Sequence, residues 1–182
     1  MKPKIIIIGA GGHGKVVCDA ILAEDKYELL GFVDDALPIG THILNGYKVI
    51  ESQKNIEELK GKVDFFIVGI GSNKVRDRIF NLAVGLFSPG SVIHPKAILA
   101  SSAAIGPGTV VLANAVINTA AIVGLNSIVN IGAIVDHDCK IGDHVHLTIG
   151  TLIGSSSIIG NYYSSAIGEK VTSFSKVNPL HQ

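Results

Sequence analysis

From Ile93 onward the chain places an aliphatic side chain on every sixth residue: Ile93, Leu99, Ile105, Val111, Ile117, Val123, Val129, Val135, Ile141, Leu147, Ile153 and Ile159. Four residues after each comes a small side chain, at Ala97, Ala103, Thr109, Ala115, Ala121, Ser127, Ala133, Cys139, Thr151 and Ser157, with Val145 the one larger occupant. Six residues are too few for a helical repeat, and a lone strand would alternate every second residue. The pattern predicts short flat strands joined by tight corners and stacked so that like positions form columns, a β-helix of hexapeptide repeats. The register breaks at Gly160-Asn161-Tyr162-Tyr163 and resumes only briefly at Ile167-Gly168, so an interruption of the coils is expected there.

Before the repeats the periodicity changes. Ile5 to Ile8 is a β-branched run entering Gly9-Ala10-Gly11-Gly12-His13-Gly14, and a helical pattern follows from Lys15 to Ala23. A second strand is predicted over Glu28 to Val33, a helix around Gln53 to Lys60, a buried strand over Val63 to Ile70 and a helix from Asn73 to Ala83. Alternation of this kind predicts a βαβαβ unit, a small parallel sheet with helices on its faces that amounts to half of a doubly wound fold. Ser88-Pro89-Gly90 breaks the chain, so domains are expected at residues 1–88 and 89–182.

Composition narrows the function. Fifteen Lys and Arg balance fifteen Asp and Glu, which leaves no broad cationic field for nucleic acid or anionic lipid. An anionic ligand must then be held by local backbone geometry. Cys18 and Cys139 form no CxxC pair, and the apolar run after Met1 is too short for a signal peptide or a membrane span. These features together predict a reduced, cytoplasmic protein.

Gly9, Gly11 and Gly14 satisfy G-x-G-x-x-G between a strand and a helix, with Asp34 about twenty residues on, the arrangement in which backbone N–H groups and a helix N-terminus receive a diphosphate. That physics serves a UDP-sugar as well as NAD. A nicotinamide-binding fold uses two such halves, and only about three strands fit before the repeats, which favours the sugar nucleotide. A tight turn with no ligand is the alternative, and His13 either faces a phosphate or caps that turn.

The densest polar cluster is Asp136-His137-Asp138-Cys139, followed by His144 and His146. His137 and Asp138 fall outside the inward columns. An imidazole with a neighbouring carboxylate suits proton transfer near neutral pH. Acetyl transfer from a thioester needs only such a base and a donor for the oxyanion, so no serine or cysteine nucleophile is required. Cys139 falls in the small inward column and reads as packing. Three histidines within ten residues also raise a metal site, but the spacing matches no common zinc signature, and a functionless surface cluster is equally consistent with it.

Taken in order, Gly9-Ala10-Gly11-Gly12-His13-Gly14-Lys15, Phe32-Val33-Asp34-Asp35, Gly69-Ile70-Gly71-Ser72-Asn73 and Asn130 through Cys139 resemble the bacterial sugar O- and N-acetyltransferases of sialic acid, bacillosamine and perosamine biosynthesis. The resemblance implies a left-handed β-helix with three hexapeptides per triangular turn, so that Thr119, His137 and Ser155 share a column. It implies a homotrimer with active sites between neighbouring β-helices, a nucleotide sugar on the N-terminal domain and acetyl-CoA, without a metal, along the helix. By the same resemblance His137 is the general base and Asp138 its supporting acid. Asn130, His146, Gly154 and Ser155 fall on the coenzyme side, and Gly11, Gly12, His13, Gly14, Asp34, Asp35 and Asn73 on the nucleotide-sugar side. Relatives often carry a glycine pair where this chain has Gly154-Ser155, and usually continue to a Gly-Asn-Pro-Ala segment that only Val177-Asn178-Pro179-Leu180 echoes. The leading expectation is N-acetylation of a UDP-linked 4-amino sugar. O-acetylation of sialic acid or a related sugar is the first rival, and a non-catalytic trimeric scaffold with a shortened C-terminus is the second.

Overall fold

The computed structural model describes residues 1–178 and divides into two compact units, Met1–Val92 and Ile93–Gln182. The Pro179-Leu180 part of the C-terminal echo lies outside the described residues.

The first unit is built on β1 (Lys4–Ile8), which pairs in parallel with β2 (Glu28–Val33) on one side and β5 (Phe65–Val68) on the other. Ile5, Ile6, Ile7 and Ile8 are all fully buried. A central parallel strand is covered on both faces, which is why the run is continuously apolar and does not alternate. Helices α1 (Gly12–Glu24) and α2 (Asn73–Ala83) form where the helical periodicity lies, though α1 starts three residues before the predicted Lys15. Its first turn therefore contains Gly12, His13 and Gly14. The predicted helix at Gln53 is a 3₁₀ segment, Gln53–Leu59, interrupted by the non-helical dihedrals of Asn55.

The sheet is larger than the expected three strands, and it is mixed. β3 (His42–Leu44) and β4 (Tyr47–Glu51) form an antiparallel hairpin, and β4 adds in parallel to β2. The two-residue turn is Asn45-Gly46, both at positive φ (50° and 85°), the combination that a tight hairpin turn requires. β6 (Ser88–Pro89) adds to β5, giving the order β3-β4-β2-β1-β5-β6. Ser88-Pro89, predicted as a break, is thus a short edge strand, where a proline's missing N–H is tolerated.

In the second unit the six-residue rhythm becomes two-residue strands that stack in parallel on partners eighteen residues away: Ile98–Leu99 on Val116–Ile117, then Ile134–Val135, Leu152–Ile153 and Lys170–Val171. A second face stacks Ala104–Ile105, Ile122–Val123, Lys140–Ile141, Ile158–Ile159 and Lys176–Val177. The third stacks Val110–Val111, Ile128–Val129 and His146–Leu147. The second residue of each strand points inward, joined by the small column of Ala115, Ala121, Ala133, Cys139 and Val145, all fully buried.

The corners at His94–Ala97 and Ala100–Ala103 close without a left-handed residue, and each later corner places one residue there. From Gly108 to Phe174 every sixth residue has positive φ: Gly108, Asn114, Ala120, Asn126, Gly132, Asp138, His144, Gly150, Ser156, Tyr162, Gly168 and Phe174. Glycine meets this demand without cost, and Asn or Asp with little, whereas other L-residues are strained there.

The predicted interruption after Ile159 does not occur. Ser164 bridges His146, and the strands at Lys170 and Lys176 keep the eighteen-residue spacing. What changes is the filling. Ser165 takes an aliphatic slot and hydrogen-bonds Thr151 Oγ1 at 2.7 Å and Thr148 Oγ1 at 3.0 Å. Tyr163 takes a small slot and donates its hydroxyl to Glu169. Polar groups satisfied by one another fill the coil without an apolar signal.

The corner slots give a stability test. Ala120→Gly is expected to stabilise the chain by about 0.5–1 kcal/mol, because relief of the left-handed penalty outweighs the added freedom of the unfolded chain. Gly132→Ala, at φ 67° with open space around its would-be Cβ, is expected to cost about 1 kcal/mol. Paired chemical denaturation curves check both signs.

Candidate active site

The corner at residues 136–139 is shaped by Asp136. Its Oδ1 accepts the His137 N–H at 2.7 Å and the Asn118 side-chain amide, one coil away, at 3.1 Å. Asp138 occupies the left-handed slot (φ 61°), which turns its carboxylate back toward its neighbour. The Oδ2 of Asp138 lies 2.8 Å from His137 Nδ1, and both side chains are solvent-accessible. A carboxylate can only accept here, so Nδ1 carries the proton and Nε2 is left with the lone pair of a base.

The electrostatics agree with that assignment. The hydrogen bond that His137 donates to Asp138 raises the His137 pKa, desolvation opposes it, and the charges of Asp136 and Asp138 add to the rise. The His137 backbone N–H holds the Asp136 carboxyl below the usual carboxylate range. Cys139 is buried, donates to the Gly154 carbonyl at 3.2 Å and has its thiol pushed up by burial, as suits packing and not nucleophilic attack.

Thr119, His137 and Ser155 stand in one column: Asp138 N donates to Thr119 O at 3.0 Å, and Ser156 N to His137 O at 2.9 Å. Ser155 Oγ bonds Ser173 Oγ at 3.1 Å on the next coil. Gly154 has an internal reason to be glycine, since a Cβ there would lie 2.6 Å from Ser173 N. Asn130 and His146 form a second pair, with Asn130 Nδ2 donating to His146 Nε2 at 3.1 Å. Asn130 sits at the corner before the Ile134–Val135 strand that leads to His137, and His146 opens the His146–Leu147 strand of the adjoining sheet. One chain therefore holds His137 and Asp138 at one edge of the sheet containing Ile134–Val135 and Asn130 at the other, with His146 on the adjoining sheet.

On the first unit the glycines sort into two kinds. A Cβ on Gly14 would meet Gly9 O at 2.1 Å, and one on Gly69 would meet Gly14 Cα at 2.7 Å, so these serve the close approach of two loops. Gly11 and Gly12 have nothing within 4 Å of a Cβ, so their smallness opens space outside the loop. His13 lies half-buried in the first turn of α1. Asp34 is committed to the fold: Oδ2 accepts Ala10 N and Oδ1 accepts Ala36 N, both at 2.8 Å. Asp35 Oδ1 accepts Gln53 N at 2.7 Å.

Asn73 Oδ1 accepts from Arg76 Nη2 at 2.7 Å, and Arg76 also donates to the carbonyls of Gly71 at 3.0 Å and Ile70 at 3.2 Å. This guanidinium is 1% exposed, and burial lowers its pKa to about 10, which leaves it charged at neutral pH. Sequence reasoning missed Arg76. Its signal was periodicity, since it shares the buried face of α2 with Ile79, Phe80 and Ala83. Among the described residues no cluster of His, Cys, Asp and Glu could hold a metal, and no helix is long and apolar enough to cross a membrane.

The His137–Asp138 pair makes a direct prediction. In an NMR titration the His137 imidazole is expected to titrate above an ordinary histidine, and Asp138→Asn should move its midpoint to lower pH. A midpoint that Asp138→Asn leaves in place would show that the pair does not form.

Residues 4–83 match the PglD N-terminal domain family. The whole fold is similar to the acetyltransferase domain of PglB from Neisseria gonorrhoeae, solved in complex with acetyl coenzyme A: 35% identity, TM-score 0.74, over 98% of this chain and 89% of that one. Perosamine N-acetyltransferase from Caulobacter crescentus, with CoA and GDP-perosamine bound, matches at 28% identity and TM-score 0.73 over 97% of this chain and 86% of that one. Among curated proteins, UDP-N-acetylbacillosamine N-acetyltransferase of Bacillus subtilis is 34% identical over 113 residues, 56% of this chain. That match spans about half of the relative's length, 48%. Stacked hexapeptide coils, an N-terminal sheet and these near full-length likenesses place the chain in one family: it belongs to the hexapeptide-repeat sugar acetyltransferases, whose coils form a left-handed β-helix.

Proposed function

We propose that the chain transfers an acetyl group from acetyl-CoA to the amine of a UDP-linked 4-amino sugar, with His137 as general base. The observation that carries this reading is the accessible His137–Asp138 pair, whose geometry fixes the proton on Nδ1 and leaves Nε2 basic. The amine attacks the thioester carbonyl, a C–N bond forms and the C–S bond breaks. His137 Nε2 takes the proton that the amine sheds and returns it to the departing thiolate, so the pair ends as it began. Asp138 stabilises the imidazolium formed between these steps.

The glycine loop is assigned the nucleotide, with Gly11, Gly12, His13 and Asn73 nearest to it. Gly14, Asp34 and Asp35 act behind them by holding the loop. Gly154 and Ser155 lie on the edge assigned to the coenzyme, while Asn130, at the other edge of the same sheet, and His146, on the adjoining sheet, are assigned to the coenzyme of a neighbouring protomer. The same reading includes a homotrimer. Three outward residues of the sheet between these edges are apolar and open, with Ile98 64%, Ile134 39% and Leu152 36% exposed, the kind of surface that a second copy covers. A cytoplasmic location, where acetyl-CoA is made, completes the proposal.

Thiol release from acetyl-CoA should depend on a UDP-4-amino sugar. His137→Ala is expected to lower kcat by ~10²–10⁴-fold while sedimentation and ligand binding stay unchanged. Turnover with sialic acid but with no amino sugar would replace the acceptor, and near-normal turnover by the variant would remove His137 from its role.

A further inference from the structure

Arg76 places a guanidinium where an aliphatic side chain would pack without losing hydration. It is 1% exposed, on the face of α2 that also carries Ile79, Phe80 and Ala83. Taking a cation out of water destabilises a fold in a way that methionine or leucine at the same place would not. A charge kept there calls for a role outside the packing of the helix.

Its hydrogen bonds show what it shapes. Nη1 donates to the carbonyls of Ile70 at 3.2 Å and Gly71 at 3.0 Å, and Nη2 donates to Asn73 Oδ1 at 2.7 Å. Both peptide bonds are trans, so a carbonyl drawn toward the guanidinium turns the N–H of the next residue the other way. The amides of Gly71 and Ser72 thus point away from Arg76, and Ser72 is exposed. Successive N–H groups turned to one side are the element from which anion-binding concavities are built.

This loop stands beside the glycine loop. It leaves β5 as the glycine loop leaves β1, the parallel neighbour, and a Cβ on Gly69 would lie 2.7 Å from Gly14 Cα and 2.9 Å from Gly9 O. Helices α1 and α2 begin directly after the two loops, and neither N-cap, Gly11 or Ser72, makes a side-chain capping hydrogen bond. The positive ends of two helix dipoles and one buried guanidinium are thereby gathered at one end of the sheet. The three acceptors of Arg76 named above are neutral, so they bond its N–H groups without cancelling its charge. Burial outweighs the neighbouring Asp77 and lowers its pKa to about 10, which keeps that charge in place at neutral pH.

We infer that Arg76 is a positioning residue for the nucleotide sugar: from inside the first unit it holds residues 70–73 with their N–H groups toward the diphosphate and sets a buried positive charge behind them. It acts through the loop and touches no substrate. The inference rests on the glycine loop holding a UDP-sugar, and it concerns the part of that binding that depends on phosphate.

Calorimetric titration with UDP and with uridine, which has no phosphate, separates this role from a merely structural one. Arg76→Gln keeps an N–H donor and removes the charge. It is expected to raise the Kd for UDP about tenfold or more and to leave those for uridine and acetyl-CoA unchanged. Arg76→Lys keeps the charge and should bind UDP more tightly than Arg76→Gln. Undiminished UDP affinity in Arg76→Gln, a parallel loss of UDP and uridine, or equal UDP affinity in the two variants overturns the inference. The unaltered chain gives a measurement that depends on no variant folding: UDP should shift the amide NMR signals of Gly71 and Ser72. Signals that UDP leaves in place, or that uridine moves equally, overturn the inference too. An unaltered chain that binds no UDP overturns the UDP-sugar reading as well.

Discussion

From Gly108 onward everything in the second unit depends on one backbone constraint, a corner in which one residue in six enters the left-handed region. The constraint is met twelve times without a gap between Gly108 and Phe174. With the corners closed, the strands between them fall into register eighteen residues apart and their inward residues make a continuous core. The chemistry is a by-product of the same turn. Asp138 reaches back to His137 because its slot is left-handed, and the imidazole is accessible because the corner, not the strand, carries it.

The first unit depends on a comparable intimacy between backbones. Gly9, Gly14 and Gly69 approach so closely that no side chain fits at any of them, and Asp34 fastens the loop from below through Ala10 N. Arg76 does the same for the loop at residues 70–73. The outward-facing Gly11 and Gly12 are left over from this packing, which makes them the part of the loop that a ligand can use.

Much of this was legible in the residues, and what was not had physical reasons. The twelve aliphatic positions announced the coils because burial there is apolar. The coils after Ile159 were hidden because Ser165, Tyr163 and Glu169 fill the same slots with polar groups that satisfy one another. The hairpin at Asn45-Gly46 had a plain turn signal, passed over because the flanking runs are short. Pattern placed Asp34 on the ligand side by its distance from the glycines, yet only coordinates show both of its oxygens already accepting from backbone amides. His137 and Asp138 were found because their adjacency is itself the geometry, whereas Arg76 acts through carbonyls that carry no sequence signature.

The uniform corner has a consequence for how such an enzyme can be altered. Because the turn specifies a backbone shape and leaves its side chains largely open, the reactive triplet Asp136-His137-Asp138 behaves as a cassette in an indexed rack. Moved to residues 118–120, it would slide the base by one rung, about 4.8 Å, along an otherwise unchanged edge. Acceptors of different length could then be accommodated by relocating the base and leaving the pocket alone, a graduated adjustment that folds with irregular loops do not provide.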